Sequence, residues 1–158
     1  MLDDEQFHEG GCLCGLLRYR TRGMPRFKAV CHCSFCQRLT GSAFNPEVAF
    51  LREDVKFEGQ ESTYEHRPSA HGRLMRTHFC ARCGVTVGLS FERFPAVMAI
   101  LAGTYDEPHW IDFDKHIFTA NALPWMAYSD ATDIYLGHCL PNAPGETAPP
   151  ADRPRRVE

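Results

Sequence analysis

Seven of the eight cysteines in this chain fall into three tight groups: GCLCG (Cys12, Cys14), CHCSFC (Cys31, Cys33, Cys36) and FCARCG (Cys80, Cys83). The eighth, Cys139, stands alone near the end. Any fold must therefore gather thiols from distant segments or leave reactive pairs scattered over its surface. With 158 residues, 44% of them hydrophobic, a single domain can hide roughly two thirds of its unfolded surface, so the cysteines are not needed as staples for a tiny core. The opening MLDDEQFHEG is acidic where an export signal would be basic and then apolar, and no run approaches the ~20 apolar residues of a membrane span. The expected setting is the cytoplasm, with no membrane partner. In a reducing compartment clustered cysteines are thiolates for a metal or for chemistry, not disulfides.

Between the clusters the sequence breaks into short runs suited to strands: 16–20, 27–32, 42–51, 55–60, 62–67, 74–80, 85–91 and 96–103, with a last short one at 133–137. Glycine or proline punctuates most of them, and none carries a helical period for 10 residues or more. The expectation is a mainly β fold of antiparallel sheets. From Asp106 to Met126 the pattern loosens into a segment rich in aromatics, read as an irregular cover over one sheet. Residues 137–158 hold several prolines and few large apolar side chains, which predicts a disordered tail.

FCARCG has the form of a zinc knuckle, a tight turn that aims two sulfurs at one ion with Gly84 relieving the crowding behind it. GCLCG is the best donor of the other half. Cys12, Cys14, Cys80 and Cys83 then form a closed four-thiolate site, expected to act as a structural brace. CHCSFC differs, because Cys31, Cys33 and Cys36 offer three thiolates. Three protein ligands with a free fourth position are the catalytic pattern, and a soft, charged ion there favours an exogenous thiolate. A fourth protein ligand, from His32, His138 or Cys139, would make this site inert. A metal-free redox pair of Cys33 and Cys36 is a further alternative.

The clusters, their order and their surroundings resemble the glutathione-dependent formaldehyde-activating enzyme family, which includes the centromere protein V type of domain. The resembling elements are GGCLCG at 10–15, CHCSFC, FCARCG, Phe94-Pro95 with the strand AVMAILAG, and His116-Ile117 with Trp125, spanning about residues 8–136. The resemblance implies a beta-tent type of fold and a structural zinc on Cys12, Cys14, Cys80 and Cys83. It also implies a second, catalytic zinc on Cys31, Cys33 and Cys36. The implied activity is that of a carbon-sulfur lyase, joining glutathione or another small thiol to formaldehyde as an S-hydroxymethyl adduct. Family members often carry two basic residues after the second cluster; here Gln37 takes the first of these places, before Arg38.

Near this cluster, Thr40, Gly41 and Ser42 are candidate donors to an oxyanion, and Gln37 or Arg38 candidate contacts for a substrate carboxylate. The competing class is a non-catalytic zinc module that binds a protein or nucleic acid through the outer face of the sheet, with an exposed patch of Phe44, Phe91, Phe94, Trp110 or Trp125. Nucleic acid is not an expected partner: the net charge of −3 becomes about −6 when seven thiolates enclose two divalent ions. This leaves room for a local basic patch such as Arg153, Arg155 and Arg156.

Overall fold

The computed structural model describes residues 6–69 and 71–154, so Arg155 and Arg156 lie outside the described residues. The chain is mainly β, as expected, and divides into two compact units: Met1–Phe27 with Glu47–Ile111, and Lys28–Pro46 with Asp112–Glu158. Among the described residues no helix is long and apolar enough to cross a membrane.

In the first unit, β1 (Phe7–Gly11), β2 (Leu17–Arg22) and β5 (Val55–Gly59) form an antiparallel sheet in the order β1-β2-β5. The sequence LRYRTR of β2 explains its two faces. Leu17, Tyr19 and Thr21 are buried, whereas the alternate arginines each meet an acid: Arg18 with Asp106, Arg20 with Glu9 and Arg22 with Asp54. These exposed pairs set register more than stability, each contributing ~0–1 kcal/mol. The buried hydroxyls are satisfied, Tyr19 with Thr104 at 2.9 Å and Tyr105 donating to Thr21 at 3.3 Å.

The same unit holds antiparallel pairs in the order β4-β9-β8-β7-β6, with β4 at Asn45–Leu51, β6 at Glu61–His66, β7 at Met75–Cys80, β8 at Thr86–Phe91 and β9 at Val97–Leu101. Val48, Phe50, Val87, Leu89, Met98 and Ile100 are buried. Burial on both faces explains why β9 reads as a continuous apolar run instead of an alternating one.

Across β6, β7 and β8 runs one polar line, buried at His78 and Ser90 and exposed at Glu61. His78 meets Ser90 Oγ through Nε2 at 2.8 Å and Glu61 through Nδ1, with the ring of Phe57 parallel to its own. Removing the imidazole strands the Ser90 hydroxyl and opens a void. His78→Ala is therefore expected to cost about 2–3 kcal/mol, measured by denaturant unfolding, and Ser90→Ala about 1 kcal/mol. A His78→Ala protein as stable as the wild type would show that the line is solvated and idle.

In the second unit, β3 (Phe27–Cys31), β10 (Lys115–Ile117) and β11 (Asp133–Ile134) are adjacent in the order β11-β10-β3. Both pairings are parallel, His116 opposite Val30 and Lys115 opposite Asp133. The all-antiparallel expectation thus gives way here to mixed pairing, because the connections between these strands are long crossovers, not hairpins. A short helix, α1 (Ser34–Thr40), follows β3 directly. Beyond β11, Arg153 pairs with Ile134 in both directions and Leu136 N–H donates to Asp152.

Candidate metal centres

The four-cysteine group is built from two turns of the same design. In the first, Cys12 N–H donates to Leu17 C=O at 2.9 Å, Gly15 N–H returns to Cys12 C=O at 3.2 Å, and Gly15 is left-handed at φ 76°. In the second, Cys80 N–H donates to Val85 C=O and Gly84 N–H to Cys80 C=O, both at 3.0 Å, with Gly84 at φ 74°. Each turn also aims backbone N–H groups at a sulfur. Leu17 N–H meets Cys12 Sγ at 3.3 Å, while Arg82 and Cys83 N–H meet Cys80 Sγ at 3.4 and 3.5 Å.

What joins the two turns is the corner after β5. Gln60 N–H donates to Leu16 C=O at 3.4 Å, and Gln60 C=O accepts from Ala81 N–H at 3.2 Å. Gly59, at φ 98°, makes the approach possible: a Cβ there would lie 1.8 Å from Leu16 O. In consequence the sulfurs of Cys12, Cys14, Cys80 and Cys83 all lie within 4.8 Å of one another, with Cys14 3.6 Å from both Cys12 and Cys80. A tetrahedral ion with metal–sulfur bonds of ~2.3 Å has a sulfur–sulfur edge of about 3.8 Å, so this donor set fits one. The four thiols also bias one another's ionisation. Although burial opposes ionisation of Cys12, the Leu17 N–H and the neighbouring thiols bring it down to about 6, while Cys14 is carried up to about 11. One negative sulfur raises the cost of the next, and a divalent ion removes that cost.

The second group lies wholly in the second unit. Cys31 ends β3, Cys33 is the N-cap of α1 and Cys36 lies within the helix. Their sulfurs are within 4.8 Å of one another, with Cys31 and Cys36 buried and Cys33 half-buried. Cys36 N–H donates to Cys33 Sγ at 3.3 Å, the side-chain-to-backbone bond of a helix cap. Hydrogen bonds from the Cys31 and Cys36 thiols, helped by the Cys36 and Phe35 N–H groups against burial, hold Cys33 down at about 3, a thiolate at neutral pH.

Among the described residues no fourth His, Cys, Asp or Glu joins this group. His32 turns instead to His116, Nε2 to Nδ1 at 2.8 Å, with Phe44 and Tyr128 around its ring. Cys139 is buried and His138 lies edge-on to Phe118. The sequence reading missed His116 as the partner of His32, although its His116-Ile117 element was the available signal.

Two candidate contacts are already engaged. Gln37 donates its side-chain amide to His32 C=O and Asn121 C=O, both at 2.8 Å. The Thr40 hydroxyl lies 2.9 Å from Cys36 C=O and 3.2 Å from Phe44 C=O and accepts Ser42 N–H. Arg38 is exposed. Of the aromatics named as an interaction patch, Trp125 is 70% exposed, whereas Phe44, Phe91, Phe94 and Trp110 are half-buried, Trp110 stacked on His8 at 3.9 Å.

Burial, together with the charges of His32 and Arg153, pushes His116 down to about 4. An imidazole neutral in the folded chain but protonated below ~6.5 when unfolded contributes stability above pH ~6.5, and that stability is lost as pH falls towards 4. The melting-temperature advantage of the wild type over His116→Asn should accordingly shrink between pH 7 and 4.5. Thiolate protonation acts on both proteins and cancels in the comparison, so parallel pH profiles would refute the shift.

The fold and these two groups define a mainly β domain with two sets of clustered thiols that could each hold a metal ion. The family described as Glutathione-dependent formaldehyde-activating enzyme matches residues 7–121, and the chain belongs to that family. No curated protein matches. A crystal structure of a Rhodobacter sphaeroides protein is similar in fold, with 17% sequence identity and a TM-score of 0.50, over 62% of this chain and 87% of that one.

Proposed function

We propose that this chain is a zinc-dependent carbon-sulfur lyase that joins a low-molecular-weight thiol, glutathione or a relative, to formaldehyde as an S-hydroxymethyl adduct. The observation that carries the reading is the group of Cys31, Cys33 and Cys36, which closes at three sulfurs and leaves Cys33 half-buried between two buried partners. Family membership supports glutathione and formaldehyde as the substrate class.

On this reading Cys12, Cys14, Cys80 and Cys83 hold a structural zinc, and Cys31, Cys33 and Cys36 hold a catalytic one. When bound by three thiolates, zinc supplies Lewis acidity and lowers the pKa of a thiol that shares it. The chain's own part is to hold Cys33 as a thiolate at the cap of α1, to fix Cys31 and Cys36 by burial, and to keep the cluster electron-rich and soft. Arg38, exposed on the same helix, is the candidate contact for a thiol substrate's carboxylate, since the Gln37 amide is occupied.

In the condensation the thiolate sulfur adds to the carbonyl carbon and the carbonyl π pair moves to oxygen. That oxygen takes up the proton the thiol gave away; the reverse direction breaks the carbon–sulfur bond. Two groups of clustered thiols suit the cytoplasm, the reducing setting that the reading requires.

The test is proton NMR of formaldehyde consumption by several thiols, with and without the zinc-loaded protein. Formaldehyde and thiols combine unaided, so the reading requires a rate above that background for at least one thiol. A protein loaded with two ions that leaves every background rate unchanged would refute it.

A further inference from the structure

Gln37 is bound to the ligand loop in a way that its place after the third cysteine does not announce. Its side-chain amide spends both N–H groups on carbonyls: His32 C=O, which lies between two of the three cysteines, and Asn121 C=O, each at 2.8 Å. Its own backbone is tied at both ends, N–H to Cys33 C=O at 3.0 Å and C=O to Gly41 N–H at 2.9 Å. Gly41 is left-handed at φ 65°, which stops α1 and fixes the turn that carries Gln37.

The far anchor is held with equal care. Asn121 closes a single 3-10 turn, Thr119–Asn121, and Asn121 N–H donates to Phe118 C=O at 3.1 Å. Phe118, which opens that turn, is the non-glycine residue with positive φ among the described residues, at 55°. A bulky side chain keeps such a conformation only where the surrounding structure insists on it. Phe118 N–H is held by Gly137 C=O at 2.8 Å. The loop carrying Cys31 and Cys33 is therefore tied, through one amide, to a turn more than 80 residues away that is fixed independently.

We propose that Gln37 is a positioning residue for the three-thiolate site: its amide sets the separation of Cys31, Cys33 and Cys36 and so the retention of the ion they hold. The inference rests on the reading that these cysteines bind a metal. It assigns Gln37 no contact with substrate. The group needed is a double donor of about this length, and that is what distinguishes positioning from mere packing. Glutamate has the same size but presents only acceptors to two carbonyls, methionine has the length but no donor, and the ammonium of lysine can donate to both carbonyls.

The experiment follows transfer of zinc from the loaded full-length chain to a chromophoric chelator, which resolves a fast and a slow ion. It also records the thiolate charge-transfer absorption of the cobalt-substituted protein. Gln37→Glu and Gln37→Met should release the fast ion at least tenfold sooner than wild type and alter the cobalt spectrum, leaving the slow ion and the far-UV circular dichroism unchanged. Gln37→Lys should restore wild-type release. Wild-type release from folded Gln37→Glu or Gln37→Met, or fast release from Gln37→Lys, would overturn the proposal. If Gln37→Glu does not fold, the Met and Lys pair decides. A wild-type chain that binds one ion, unaffected by Cys33→Ser, would defeat the metal reading itself and the inference with it, an outcome distinct from two ions with Gln37 indifferent.

Discussion

Cys80→Ser, produced with ample zinc, should fail to give a cooperatively folded protein, or should melt tens of degrees below the wild type, with one ion fewer. Cys80 is fully buried, its sulfur lies 3.6 Å from that of Cys14, and it accepts N–H groups from Arg82 and Cys83. A structural four-thiolate zinc contributes ~10–16 kcal/mol of apparent free energy, as large as the whole ~5–15 kcal/mol that keeps a domain folded. The hydroxyl of serine stays protonated near neutral pH and ligates zinc poorly, and the three sulfurs left behind are crowded without a compensating charge. Thermal melting followed by circular dichroism, together with zinc analysis, decides the matter. A cooperative melt within a few degrees of wild type would mean that this site is ornamental.

The opposite outcome is expected at the second group. Cys33→Ser should melt within a few degrees of wild type, lose one ion, and lose at least about 100-fold in thiol-dependent formaldehyde consumption above background, the scale of removing several kcal/mol of charge stabilisation. The fold survives because Cys33 caps α1 by accepting Cys36 N–H at 3.3 Å, and a serine oxygen does the same work as well or better. Loss of activity without loss of the helix is thus a consequence of where this ligand sits. Retention of the full rate by Cys33→Ser would refute the assignment of catalysis to this group, and collapse equal to that of Cys80→Ser would refute the division of roles.

Legibility from sequence followed chain-local chemistry. The strands that became β2 to β9 were readable because most carry a run of apolar or β-branched residues punctuated by glycine or proline, and the observed ends fall within a few residues of the expected ones. Three elements were not readable. β1, FHEGG, has neither alternation nor β-branched residues, and it is a strand because Arg20 and Glu9 pair across it and because Gly10 leaves room for the Tyr19 ring. α1 is seven residues long, too short for a 3.6 period to register, and its caps, Cys33 and Gly41, were hidden inside a motif that reads as ligands. β10 has only three residues and owes its state to parallel pairing with β3, a tertiary effect.

For the site, the spacing of the cysteines indicated which sulfurs could meet. It could not reveal that His32 is engaged by His116, since 84 residues separate them. Nor could it show that the Thr40 hydroxyl and the Gln37 amide are consumed by backbone carbonyls before any substrate arrives.

If Cys12, Cys14, Cys80 and Cys83 hold zinc as proposed, the corner at Gly59 and Gln60 bears on the order in which the chain would acquire it. Each knuckle alone is a local two-sulfur clamp able to capture an ion early, yet the two clamps lie 66 residues apart along the chain. A half-filled clamp can be completed by the other half of its own chain or by a clamp on a neighbour. The contacts from Gln60 to Leu16 and to Ala81 favour the first outcome, because they hold one clamp against the other once the sheets have formed, raising the local concentration of the missing sulfurs. On the proposed zinc reading, assembly of the sheets and delivery of the ion would compete in time, and an ion arriving after the corner has closed would find four sulfurs instead of two.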